Sequence, residues 1–188
     1  MVGRSFRFNY SYLLVLVLFA CARDEVSFRI DPALLGESYE NFQAGVKLYM
    51  PAGWSSISQE EFSLINKKIK PGPAEKIRPL RFYYNRDRTS FCMISRFLKK
   101  EKIKEIKDRY QKELPGSSPG STVRFGSFYK ENIQIHQFQI WNDKVITVKL
   151  LFTDRENTVI ELDYVLSLQA YKKEIKAIES SIGSISLI

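Results

Sequence analysis

Residues 144–166 read KVITVKLLFTDRENTVIELDYVL, two alternating runs separated by a polar link. In the first run Ile146, Val148, Leu150 and Phe152 share one face; in the second Ile160, Leu162, Tyr164 and Leu166 do, with Glu161 and Asp163 on the other. Strand side chains alternate with period two, so each run describes a half-buried strand whose acids are expected on a solvated side. The link Asp154-Arg155-Glu156-Asn157 is short enough to join the strands antiparallel.

Working outward, two further β-like runs, 121–129 and 132–141, precede this pair, joined to it through Asn142-Asp143, and the four make an antiparallel meander. Downstream, Leu168, Tyr171, Ile175, Ile178 and Ile182 recur at three- and four-residue spacing opposite Lys172, Lys173, Glu174, Lys176 and Glu179, which predicts an amphipathic closing helix. Upstream, Ile103, Ile106, Tyr110 and Leu114 predict a helix over 100–113, with Glu105 and Arg109 paired across one turn and Pro115-Gly116 ending it. Before it, Leu80, Phe82 and Tyr84 alternate, then Phe91, Met93, Ser95 and Phe97, around Asn85-Arg86-Asp87-Arg88: a hairpin.

Ser58 followed by Glu61 is a capping-box pattern and, with Phe62 and Ile65, predicts a short helix over 58–67. A basic loop from Lys67 to Pro79 follows it, carrying Lys68, Lys70, Lys76 and Pro71-Gly72-Pro73. Gly45 to Met50 alternates into the turn Pro51-Ala52-Gly53-Trp54, where Trp54 is expected over the core edge. Helices bracketing an antiparallel sheet define an α+β class. A chain of 188 residues, 44% hydrophobic and 27% charged, suffices for one core and excludes disordered and collagen-like chains.

The first twenty residues carry Arg4 and Arg7 and no acid, and lead into the apolar run from Tyr12 to Ala20. That run is about half the length a membrane span needs, so it reads as a signal peptide over 1–20. Leu18-Phe19-Ala20-Cys21 resembles the lipobox of bacterial lipoproteins; the resemblance implies that Cys21 becomes the acylated first residue, carrying palmitate-type chains. Each buried lipid methylene adds about 0.8 kcal/mol, and two chains hold where one does not. Removal of residues 1–20 lowers the formal charge of +8 by two. With Cys21 lipidated, Cys92 in Phe91-Cys92-Met93-Ile94 has no disulfide partner within the chain and is expected to be a small buried hydrophobe. Residues 21–37, with Asp31-Pro32 and Gly36, read as a tether before a single domain over 38–188.

The order of strand, Pro-x-Gly-Trp turn, early helix, antiparallel strands and closing helix resembles the PsbP-like fold. That α/β/α sandwich is shared by photosystem extrinsic subunits, a Ran-binding nuclear factor and many bacterial lipoproteins. Val46-Lys47-Leu48-Tyr49-Met50-Pro51-Ala52-Gly53-Trp54 and the helix through Ile182 carry the resemblance. It implies a binding or assembly module rather than an enzyme, and it transfers no site residues.

Nucleotide, dinucleotide, hydrolase-elbow and zincin motifs are absent from the sequence. The sole His136, in Gln134-Ile135-His136-Gln137-Phe138, has no adjacent acid and reads as a core-edge residue sharing a face with Phe138 and Ile140. Neither a metal, a cofactor nor a catalytic residue is expected. Glu161 and Asp163 are spaced as paired carboxylates could be, but read as a solvated strand face. The clusters Lys67-Lys68-Ile69-Lys70 and Lys99-Lys100-Glu101-Lys102 read first as solvated, then as lipid-headgroup contacts, with nucleic acid a distant third.

The leading expectation is a lipid-anchored envelope protein on the cell membrane or outer membrane, facing periplasm or cell surface. It would bind an envelope protein partner through loops around 68–79 and 115–121. The alternative is a carrier of a small apolar or lipid ligand in a pocket lined by Phe82, Tyr84, Phe125 and Phe128. An enzyme would require Glu161, Asp163 and His136 to converge in one cleft.

Overall fold

Short polar links leave neighbouring strands no route but antiparallel pairing, and this sets the architecture. The computed structural model describes residues 28–68, 77–98, 101–117 and 120–188. In chain order the elements are β1 (Leu35–Asn41), β2 (Val46–Pro51), β3 (Trp54–Ser56), α1 (Gln59–Lys68), β4 (Ile77–Asn85), β5 (Ser90–Phe97), α2 (Ile103–Ser117), β6 (Thr122–Lys130), β7 (Ile133–Trp141), β8 (Val145–Thr153), β9 (Val159–Ser167), α3 (Leu168–Gly183) and β10 (Ser186–Leu187). Seven strands form one antiparallel sheet in the order β3-β4-β5-β9-β8-β7-β6, and β1, β2 and β10 form a second, small sheet.

The alternation of residues 144–166 is realised as written: Leu150 pairs with Leu162, Phe152 with Ile160 and Val148 with Tyr164. The Asp154 carboxylate closes the intervening turn by accepting from the Glu156 and Thr158 amides at 2.9 and 2.8 Å. On this face Leu150, Phe152, Ile160, Leu162 and Tyr164 are fully buried against the small sheet and α3, joined by Val46, Leu48 and Ile178. Burying each such side chain contributes about 1.5–3 kcal/mol, so this inner face supplies most of the fold's cohesion. The opposite, outer face is covered by α2, where Ile106 meets Phe97, Phe138, Leu151 and Val159, and by α1.

The capping box forms at α1: the Glu61 amide donates to Ser58 Oγ and the Ser58 amide to Glu61 Oε2, both at 3.2 Å. Trp54 is buried over the core edge, its ring 6.1 Å from that of Tyr164 and its indole N–H donating to Glu174 of α3 at 3.0 Å. α2 continues past the expected stop, with Pro115 inside its last turns, where a missing N–H removes a single helical bond. On α3 the apolar stripe is joined by buried Ser180 and Ser181; Ser181 Oγ pairs with the Tyr164 hydroxyl at 2.9 Å and donates to the Tyr49 carbonyl.

Part of the stretch read as a tether lies on the folded body. The Phe28 ring packs tilted against that of Phe128, centroids 5.2 Å apart, and Asp31 donates its amide to Ser180 Oγ. The contact is close enough that a Cβ on Gly183 would stand 2.7 Å from Phe28, so glycine is required there. The signal run, Cys21, most of the 68–79 loop and half of each lysine cluster lie outside the described residues.

Candidate functional site

The solvated reading of Glu161 and Asp163 is overturned. Alternation sends both to the outer face, but α2 lies across that face and buries them, Glu161 to 2% exposure. Lys149 of β8, the register partner of Asp163, places its ammonium 2.9 Å from Glu161 and 2.7 Å from Asp163. Tyr110, on the apolar stripe of α2, donates its hydroxyl to Glu161 Oε2 at 2.7 Å, and its ring lies 5.2 Å from the Lys149 ammonium.

These two carboxylates and one ammonium leave the cluster one negative charge in excess when all are ionised. Burial first, and then the neighbouring Glu161 charge, push the Asp163 carboxyl up to about 7, against the pull of Lys149. The Lys149 ammonium is held well charged: its two carboxylates outweigh the desolvation that opposes them. The Tyr110 phenol is driven upward by burial and by Glu161. Chemically the arrangement raises the proton affinity of the Asp163 carboxyl and clamps α2 to the sheet; each member is occupied by another.

His136 sits on the outer face in the same row, yet Leu151 stands between it and Glu161 in the strand register. It lies 2.6 Å from Ser127 Oγ, and burial, with the Lys107 charge, pushes its imidazole pKa down while Asp108 opposes. Cys92 is fully buried on the inner face and burial raises its thiol well above the ordinary value. Among the described residues no three of His, Cys, Asp and Glu are grouped as metal ligands, and no helix is long and apolar enough to cross a membrane.

The four aromatics do not share a pocket. Phe82 and Tyr84 lie on β4, Phe125 and Phe128 on β6, and the sheet order places β5, β9, β8 and β7 between them. Phe128 joins the inner core, whereas Phe125 lies 55% exposed on the outer face, 6.5 Å from the Phe138 ring. What forms instead is a groove of about 370 Å³ between α1 and β4–β5, with walls of Ile57, Leu64, Phe82, Tyr84 and Phe91. Phe82 and Phe91 stack at 5.0 Å, and Leu64 on the helix is 58% exposed. Arg88 lies over the Tyr84 ring at 4.6 Å and reaches Glu61 at 4.0 Å, which gives the groove a charged rim.

Lys149, Tyr110 and Leu64 were missed as site residues. A lone Lys inside an apolar strand, one hairpin away from two acids, was the available signal for the buried cluster.

No family model matches the sequence, and no curated protein matches it either. Among solved structures it is similar to the solution structure of cyanobacterial PsbP (CyanoP) from Synechocystis sp. PCC 6803. The TM-score is 0.53 at 12% identity, over 87% of this chain and 98% of that one. Antiparallel sheets flanked by three helices, in the arrangement described above, give this chain the PsbP fold.

Proposed function

We propose that the protein is a lipid-anchored module of the cell envelope that acts without turnover by binding another protein. The observation that carries this reading is the apolar groove beside α1, whose stacked Phe82 and Phe91 and exposed Leu64 are not covered by any element among the described residues. Aromatic walls inside a charged rim are the composition of a docking patch, where a few buried apolar anchors supply most of the affinity. The anchor follows from Leu18-Phe19-Ala20-Cys21, with acyl chains on Cys21 holding the domain at the membrane.

The test is the intact mass and membrane partitioning of the native protein beside a Cys21→Ala variant, followed by cross-linking of native membranes. The reading expects a mature chain starting at Cys21 with acyl groups, lost in the variant, and one reproducible protein adduct. An unmodified soluble protein contradicts the anchor. Turnover in a substrate screen with no reproducible adduct contradicts the binding module.

A further inference from the structure

We infer that a second cavity, between the β1–β2 turn and the ends of β4 and β5, is a binding site for a small amphiphile carrying one carboxylate or phosphate beside an apolar body. It shares no lining residue with the groove and does not depend on the docking reading. Its volume of about 620 Å³ lies in the range of small-ligand sites. Arg78 of β4 and Arg96 of β5, both lining it, are direct register partners, so two cations stand side by side across the strand pair.

Arg96 is only partly satisfied. Its Nη2 donates to Asp154 at 3.2 Å, Glu156 at 3.0 Å and Thr158 at 3.1 Å, but its Nε–H is buried without an acceptor. The Arg78 side chain makes no hydrogen bond or ion pair among the described residues. A planar guanidinium is matched by a carboxylate or phosphate. The two acids on Arg96 differ in kind. Asp154 is buried and fixed by its turn, whereas the Glu156 side chain is 75% exposed, so its hold competes with water and yields to an incoming anion. Phe62, Leu80 and Leu98 supply an apolar wall beside the two cations.

Isothermal titration of the full chain with octyl phosphate below its micelle concentration, beside inorganic phosphate and octyl glucoside, tests the site. Saturable one-site binding of octyl phosphate is expected, about tenfold or more tighter than either control. Arg78→Ala, a substitution at an exposed position, weakens it about tenfold, and Glu156→Gln tightens it severalfold by removing the competing carboxylate. Absence of saturable binding, or binding that neither variant moves, overturns the site. Equal binding of inorganic phosphate overturns the apolar half of the ligand, and equal binding of octyl glucoside overturns the anionic half.

Discussion

The two faces of the seven-stranded sheet are built from the same alternating strands and end up chemically opposite. The inner face packs Leu150, Phe152, Ile160, Leu162 and Tyr164 against the small sheet and α3, and the Tyr164 and Ser181 hydroxyls pair with each other within the core. The outer face puts α2 over Lys149, Glu161 and Asp163, and α1 beside a groove that is open among the described residues. Replacing a buried ion cluster with well-packed apolar side chains is often neutral or stabilising, so charges beneath α2 are not the cheapest way to attach a helix. The contrast teaches that the inner face secures the fold while the outer face holds the buried titratable cluster and the apolar groove.

The sharpest way to break the contrast is to leave the outer charges unpaired. Lys149→Met strands two buried carboxylates and is expected to cost about 3–5 kcal/mol at pH 8, measured by urea unfolding. The cost shrinks at pH 5, where the carboxylates take up protons. The triple variant Lys149→Met, Glu161→Leu, Asp163→Leu recovers most of the loss; if it unfolds as readily as the single variant, pairing is not what Lys149 provides. On the inner face, Leu162→Ala costs about 2–5 kcal/mol through lost burial and a cavity, with the same value at both pH values.

The pH profile itself separates the faces. Asp163 binds its proton more tightly folded, at about 7, than unfolded, so the stability it contributes is full below about pH 4 and is lost as pH rises to about 7. Thermal melts of native protein and Asp163→Asn across that window are expected to diverge, with the native protein losing more stability on alkalinisation; parallel profiles contradict the assignment. A smaller effect follows from Tyr110→Phe, which removes one hydrogen bond to a carboxylate worth about 1.5–3 kcal/mol. Amide exchange is expected to quicken in α2 and stay unchanged in α3.

The inner face was legible because local patterns decide it: alternation places Leu162 and Tyr164, the three-four spacing places Ile178 and Ile182, and Ser58 with Glu61 marks where α1 starts. The outer face was not, because alternation says which side a residue takes and not what comes to cover it. Glu161 and Asp163 point away from the inner core as read, but α2 docks there from fifty residues upstream, and only that packing turns a solvated face into a buried one. The proposed aromatic pocket failed for a related reason. Strand order is a non-local property, and the insertion of β9 between β5 and β8 moves Phe82 and Tyr84 far from Phe125 and Phe128. Ser180 and Ser181 were unreadable as core because their hydroxyls are satisfied by Asp31 and Tyr164, on other elements.

The claim that the open groove is where this protein meets its partner is tested most directly by photo-cross-linking in native membranes. A photoreactive residue is placed at Leu64 in the groove or at Phe125, which is comparably exposed at the far end of the same face. The account predicts one discrete protein adduct from position 64 and none from position 125; adducts equal at both positions, or absent from position 64, contradict it.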